Sequence, residues 1–327
     1  MAEQIGWGIL ATGLIARIFA KDLALVPDAE IVAVGSRTQE SADAFGDEFG
    51  VPRRHGSYQA LVEDPAVDVV YIATPHPGHH ATALAAIEAG KSVLVEKPFT
   101  MDAAEATDLI DAARAHDVFV LEAMWTRFLP HMVRIREILA AGTLGDIVSV
   151  TAEHGQYFDH DPEFRLFAPE LGGGALLDLG IYPLSFASMV LGVPRQVTAV
   201  SDPAFTGVDA QTSMILQYDG VAQSVLTTTS YAVTENAAAI NGTKARIEIA
   251  GTFYVPTTFR VVDREGQLLE TFDQPDRGRG MQHQAVEVHR CLRAGLRESP
   301  VLPLSETLSI MQTMDEIRRQ IGLTYPG

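Results

Sequence analysis

Short apolar runs alternate with amphipathic stretches up to about residue 122. The runs cover residues 5–10, 30–34, 67–73, 92–95 and 118–121, and stretches such as 81–89 and 102–116 between them carry apolar residues at helical spacing. Runs of Val, Ile and Leu without polar alternation suit strands buried on both faces, and strand–helix alternation makes such a sheet parallel and doubly wound. From about residue 147 the period changes to two. Runs 147–153, 196–200, 212–218, 222–230 and 244–249 alternate apolar and polar positions, and the glycine turns Asp219-Gly220 and Asn241-Gly242 mark antiparallel hairpins. A closing helix over 304–321 sets Leu308, Met311, Met314, Ile317 and Ile321 in one apolar stripe. The pattern predicts an α/β chain of two consecutive domains. Residues 1–124 form a doubly wound parallel-sheet domain, and 125–327 an α+β domain with an open, mostly antiparallel sheet.

Composition narrows the partners. A length of 327 residues suits two domains with sizeable cores. A net charge of −18 opposes binding to a phosphate backbone, so no nucleic-acid partner is expected. No apolar run approaches the ~20 residues of a membrane span, and the opening Met1-Ala2-Glu3-Gln4 lacks a basic leader. A cytoplasmic chain without membrane association is the expectation. The single cysteine, Cys291, excludes an internal disulfide and a cysteine-rich metal site, and its helical neighbours make it a packed thiol.

The joint between the first run and the first helical stretch is Gly8-Ile9-Leu10-Ala11-Thr12-Gly13-Leu14-Ile15-Ala16. Against the dinucleotide fingerprint, Ala11, Gly13 and Ala16 fill the three small-residue positions, with alanine replacing the first glycine. At Gly13 a Cβ would obstruct a pyrophosphate approaching the helix N-terminus, and Thr12, Leu14 and Ile15 complete the turn; alternatively, the small residues only let a helix cross a strand closely. The second run ends in Gly35-Ser36-Arg37-Thr38, where an NAD site usually has an acidic residue for the ribose. Ser36 and Arg37 can instead hold a 2′-phosphate, with Thr38 beside them, which points to NADP with NAD as the other possibility. The plain alternative for Arg37 is an exposed helix start. Thr74 and Pro75, in Ala73-Thr74-Pro75-His76-Pro77-Gly78-His79-His80, close another strand at the same edge and would flank the ribose and nicotinamide, with His79 close behind. Adjacent histidines on a helix diverge by ~100°, so no metal site is expected there.

The run 92–95 stops at Glu96-Lys97-Pro98. A lysine delivered to the carboxyl end of a buried parallel strand stands where open α/β sheets bind ligands, and the proline restricts the backbone around it. Downstream, Asp178 and Tyr182 lie four apart in a segment that reads as a helix, which places them on one face. Pro183 follows and has no N–H for the Leu179 carbonyl, so a kink is expected. Taken alone, Tyr182 reads equally as a core tyrosine capped by Asp178.

With Ala11-Thr12-Gly13, Thr74-Pro75, Glu96-Lys97-Pro98 and Gly172-Gly173-Gly174-Ala175-Leu176-Leu177-Asp178-Leu179-Gly180, the chain resembles the glucose-fructose oxidoreductase and inositol dehydrogenase family over essentially its whole length. Many members place histidine four residues after this aspartate, where this chain has Tyr182. That departure, with Glu122-Ala123-Met124-Trp125-Thr126-Arg127, is similar to the subgroup of dimeric dihydrodiol dehydrogenase and NADP-dependent D-xylose dehydrogenase. The resemblance implies a Rossmann first domain, a homodimer or higher oligomer formed through the outer face of the second sheet, and Lys97 with Tyr182 as the catalytic pair. It also implies that Trp125 and Arg127 lie near cofactor and substrate. From the residues alone, Trp125 is either a hydrophobic wall or a buried anchor, and Arg127 either meets a ligand or pairs with an internal carboxylate such as Glu122.

The expected activity is hydride transfer between NADP and a secondary hydroxyl or hemiacetal carbon of a sugar, polyol or cyclic diol. Tyr182 would move the hydroxyl proton, Lys97 would lower the tyrosine pKa and bind the developing alkoxide, and Asp178 would orient substrate hydroxyls or Lys97. Bringing a tyrosine from ~10 to ~7 takes about 4 kcal/mol of phenolate stabilisation, and a lysine ammonium in a desolvated cleft supplies much of that. The competing readings are an NADPH-dependent reductase of a keto or anhydro sugar and a non-catalytic nucleotide-binding sensor. The loop His154-Gly155-Gln156-Tyr157-Phe158-Asp159-His160 either lines a substrate pocket or is solvated.

Overall fold

The computed structural model describes residues 4–273 and 277–326. The chain divides into two compact units, Met1–Trp125 with Arg277–Leu308, and Thr126–Asp276 with Ser309–Gly327. The first contains β1 (Ile5–Leu10), α1 (Leu14–Leu23), β2 (Ala29–Gly35), α2 (Gln39–Phe49), β3 (Arg53–His55), α3 (Tyr58–Val62), β4 (Val69–Ile72), α4 (His79–Glu88), β5 (Ser92–Glu96), α5 (Ala103–His116) and β6 (Val120–Ala123). Its six described strands pair in parallel in the order β3-β2-β1-β4-β5-β6. All six residues of β1 are buried, as a central parallel strand requires. The chain winds away from β1 in both directions, so the order reverses between β1 and β4. The carboxyl ends of those two strands flank the crevice where doubly wound sheets bind ligands.

The second unit contains α6 (Pro130–Ala140), β7 (Ile147–Gly155), α7 (Ile181–Leu191), β8 (Gln196–Pro203), β9 (Asp209–Gln217), β10 (Gln223–Thr229), β11 (Ala238–Gly242), β12 (Ala245–Ile249), β13 (Phe259–Asp263) and β14 (Leu268–Phe272). Its strands form one sheet in the order β14-β13-β12-β11-β7-β10-β9-β8. Only β7 and β10 pair in parallel; the other described pairs are antiparallel. The expected turn at 219–220 does connect antiparallel neighbours, β9 with β10, whereas Asn241 and Gly242 are the last residues of β11 and the bend into its antiparallel neighbour β12 falls at Thr243 and Lys244. Strands β11, β13 and β14, of five residues each, were not expected from the sequence pattern, although the equally short β12 lies within the expected run 244–249.

Two expectations change. After β14 the chain returns to the first unit through α8 (Gln282–Arg293), and α9 (Leu304–Ile321) runs across the division at Leu308, so the units are not consecutive segments. The return is tied down by specific partners. Asp22 of α1 accepts the backbone N–H groups of Arg279 and Met281, and the Trp7 indole donates to His289 Nε2 at 2.9 Å. Secondly, the 23-residue segment Pro169–Leu191, a 3₁₀ turn followed after a break at 172–174 by the helix that ends in α7, reaches a mean hydropathy of 1.5, enough in length and composition for a membrane span, contrary to expectation. Of that apolar window, 78% is buried inside the protein, and a helix that is apolar all round is what a core position demands.

Candidate functional site

In the first unit the candidate residues gather where β1, β2, β4 and β5 end. Ala11 adopts φ 79°, a left-handed conformation that favours glycine and that alanine occupies here at a cost of about 1–2 kcal/mol. Gly13 is the residue before α1, and a Cβ built on it meets nothing within 4 Å. The space beyond the α1 N-terminus is therefore open, with backbone N–H groups facing it, which fits a pyrophosphate. Leu14 is largely exposed beside it and Ile15 half-buried. The Thr12 and Ser36 hydroxyls stand 3.5 Å apart, bridging the ends of β1 and β2. Arg37 is exposed, and its charge opposes the upward shift that burial imposes on the Tyr58 phenol. Thr74 Oγ1 is buried and meets no hydrogen-bond partner among the described residues. Pro75 next to it is exposed.

Other predicted residues take structural posts. Thr38 caps α2, its hydroxyl accepting the Ser41 N–H at 3.3 Å. The His79 ring is fully buried, with Nδ1 2.8 Å from the Pro98 carbonyl and Nε2 3.0 Å from that of Thr74. It thereby ties the turn after β4 to the turn after β5. Burial above all, with the nearby Lys97 charge, pulls its pKa down to about 4. His80 faces Asp108 at 2.7 Å. Among the described residues no group of three or more His, Cys, Asp or Glu side chains is placed to hold a metal ion.

Lys97 is half-buried directly after β5, and its peptide bond to Pro98 is cis. Two buried carboxylates fix this turn. Glu96 accepts the Tyr71 hydroxyl in a very short hydrogen bond and the Lys97 N–H at 3.2 Å. Glu122 accepts the Phe99 N–H and the Thr307 hydroxyl, both at 3.1 Å. Trp125 is buried, with the Arg279 guanidinium 5.6 Å above its ring.

In the second unit Asp178 and Tyr182 are both buried. Residues Leu176–Gly180 are wound as a π-helix that runs into α7, a register change where a uniform α-helix with a kink was expected. The cause is local: Pro183 has no N–H for the Leu179 carbonyl, and a widened turn is a common accommodation. Arg165 grips Asp178 with two parallel bonds of 3.0 and 2.9 Å. The Tyr182 ring meets His154 at 5.1 Å and Tyr254 at 5.2 Å between centroids, and those two rings stack at 3.8 Å. Gln156 donates to the Tyr254 hydroxyl at 3.2 Å and approaches His154 Nε2 at 2.8 Å. Arg127, buried, donates to the Ser185 carbonyl at 2.7 Å and so braces α7.

Arg165, Tyr254 and the bracing role of Glu122 carry no local sequence signal. Each acts through a partner that folding supplies.

Residues 5–124 match the model of an oxidoreductase family, GFO/IDH/MocA, with an NAD-binding Rossmann fold, and residues 132–248 match that family's C-terminal domain. Over 332 residues the chain is 40% identical to trans-1,2-dihydrobenzene-1,2-diol dehydrogenase of Mus musculus, covering 98% of each. Among solved structures, a 3-ketoreductase from Actinomadura kijaniata in complex with NADP and TDP-benzene superposes with a TM-score of 0.86 at 26% identity, over 98% of both chains. An aldose-aldose oxidoreductase from Caulobacter crescentus complexed with glycerol gives 0.88 at 26% identity, over 97% of both.

Proposed function

Since the chain belongs to the GFO/IDH/MocA family of NAD-binding oxidoreductases, we propose that it is an NADP-dependent dehydrogenase of a sugar, polyol or cyclic diol, with Lys97 and Tyr182 as its acid–base pair. The observation that carries this reading is the fixed Lys97. Glu96 and Glu122 hold its turn at the carboxyl edge of the parallel sheet, the edge that also carries the open Gly13 turn and the unpartnered Thr74 hydroxyl. The diol, sugar and ketone chemistry of the relatives supports the substrate class.

Gly13, with the α1 N-terminus, would take the pyrophosphate, and Ser36 with Arg37 the 2′-phosphate. A bound nicotinamide supplies the hydride acceptor or donor. Tyr182 takes the proton from the substrate hydroxyl, or returns it to a carbonyl in the reverse direction. Lys97 favours the phenolate and stabilises negative charge on the substrate oxygen. Asp178, kept in place by Arg165, orients substrate hydroxyls. The working molecule is a cytoplasmic homodimer in this reading.

Lys97→Met and Tyr182→Phe should each lower kcat by about a hundredfold or more while the NADP dissociation constant changes by no more than about threefold. Wild-type turnover in either variant would refute the pair. A screen of aldoses, inositols and cyclic diols with each cofactor should show a higher kcat/KM with NADP; a preference for NAD would refute the roles of Ser36 and Arg37.

A further inference from the structure

We propose that His154 is a positioning residue for Tyr182, acting through the Leu179 carbonyl that Pro183 cannot serve; the inference rests on the reading of Tyr182 as the acid–base group. In an α-helix the N–H of residue 183 would bond the carbonyl of residue 179, and proline removes that donor. Leu179 is buried, where a carbonyl short of donors is unfavourable, and from its own segment the Ile181 N–H turns back to it. His154 Nδ1 stands 3.2 Å from the Leu179 oxygen. In place of the missing residue-183 donor a further one thus comes from β7, a different element, and its own backbone is anchored by the Thr228 hydroxyl bonded to the His154 carbonyl at 3.1 Å.

The same arrangement sets the state of the ring. Nδ1 carries the proton and donates to Leu179, so Nε2 accepts from the Gln156 amide 2.8 Å away. The second N–H of that amide reaches the Tyr254 hydroxyl, and Tyr254 stacks on the imidazole. A ring held at both nitrogens and on one face has little freedom. Tyr182, three residues beyond Leu179, lies against both His154 and Tyr254. His154 therefore fixes the phenol twice, by ring contact and by completing the turn that carries it. A reacting group displaced by about 1 Å loses on the order of a hundredfold in rate, so such a hold matters to turnover.

Two substitutions separate positioning from space-filling. His154→Phe retains an aromatic ring and removes the N–H; His154→Asn loses the ring but carries an amide N–H near the place of Nδ1–H. Expected for His154→Phe is a fall in kcat of about tenfold or more, with substrate KM and NADP dissociation constant within about twofold. His154→Asn should turn over faster than His154→Phe despite a lower Tm. The second readout is the ring-carbon NMR signal of Tyr182 in tyrosine-labelled protein, assigned by its loss in Tyr182→Phe; it should move in His154→Phe. An unmoved signal, wild-type kcat in His154→Phe, or an Asn variant no faster than the Phe variant would overturn the proposal. A moved signal together with full turnover in Tyr182→Phe would retain the positioning and refute the acid–base reading instead.

Discussion

Asp209 shows how a residue without any motif can matter. It is buried, its Oδ2 accepts the Leu176 N–H at 2.8 Å and the Thr212 hydroxyl at 2.9 Å, and its Oδ1 meets no donor among the described residues. Gly174, at φ 112°, leaves room for that oxygen where a Cβ would collide with it. Burial, only partly offset by these bonds, raises the Asp209 pKa to about 6. The folded state then binds a proton more tightly than the unfolded chain, so the contribution is greatest below about pH 4 and is lost as pH rises to about 6. His79 has the opposite sign: with its pKa pulled down to about 4, its contribution is full above about pH 6.5 and is lost as pH falls. Asp209→Asn should remove the first dependence and leave the second. In urea titrations from pH 4 to pH 6 the variant should gain stability relative to wild type, by about 2 kcal/mol. Parallel curves would contradict the raised pKa. The places of Lys97 at a strand end, Gly13 in a turn and Tyr182 on a helix were legible because those signals are local, whereas the proposed role of Tyr182 came only from the family resemblance. Asp209 and Arg165 were not legible, because a carboxylate's role depends on what folding places around it.

At the scale of elements, the α1 N-terminus and the π segment before α7 behave differently under mutation. Gly13 has φ −69° and ψ −177°, an extended conformation open to any residue, and no neighbour crowds its Cβ position. Gly13→Val should therefore leave stability within about 0.5 kcal/mol of wild type and weaken NADP binding by about tenfold or more, read by fluorescence titration. Unchanged affinity would mean that the cofactor does not approach this turn. In the proposed reading the glycine serves a ligand, not the chain. In the π segment the chain itself is at stake: Pro183 foretold a break in the helix, but its form, a widened turn served by His154, depended on β7 lying alongside. The strands with the cleanest patterns were likewise those anticipated. Residues 5–10 were expected as a strand and are β1, whereas the three-residue β3 and the five-residue β13 and β14 became visible only by pairing.

For the whole molecule, the face of the large sheet opposite α7 is the feature that calls for a partner. Register places Thr198, Ile215, Val225, Thr151, Ala239, Glu248 and Arg260 in one row across seven strands. A groove of about 640 Å³ lies along its central part, and Ile215 and Val225 remain 45% exposed. In the proposed homodimer a second copy would cover this patch. Sedimentation should give about twice the 35.3 kDa chain mass, and Val225→Glu with Ile215→Glu should return it to the single mass; a wild-type mass of one chain would refute the homodimer. Hydrophobic period, strand–helix alternation and turn residues are properties of neighbours in sequence, so by itself the chain determined its two sheet types, the dinucleotide turn, Lys97 at a strand end and the family resemblance. Only the tertiary structure decided that α8 returns to the first sheet, that Glu96 and Glu122 hold the lysine turn, and that His154 supplies the donor Pro183 lacks. Those choices pair groups as many as 282 positions apart, as between Trp7 and His289. Burial obliges each such polar group to find a partner, and only the folded backbone determines which one it meets.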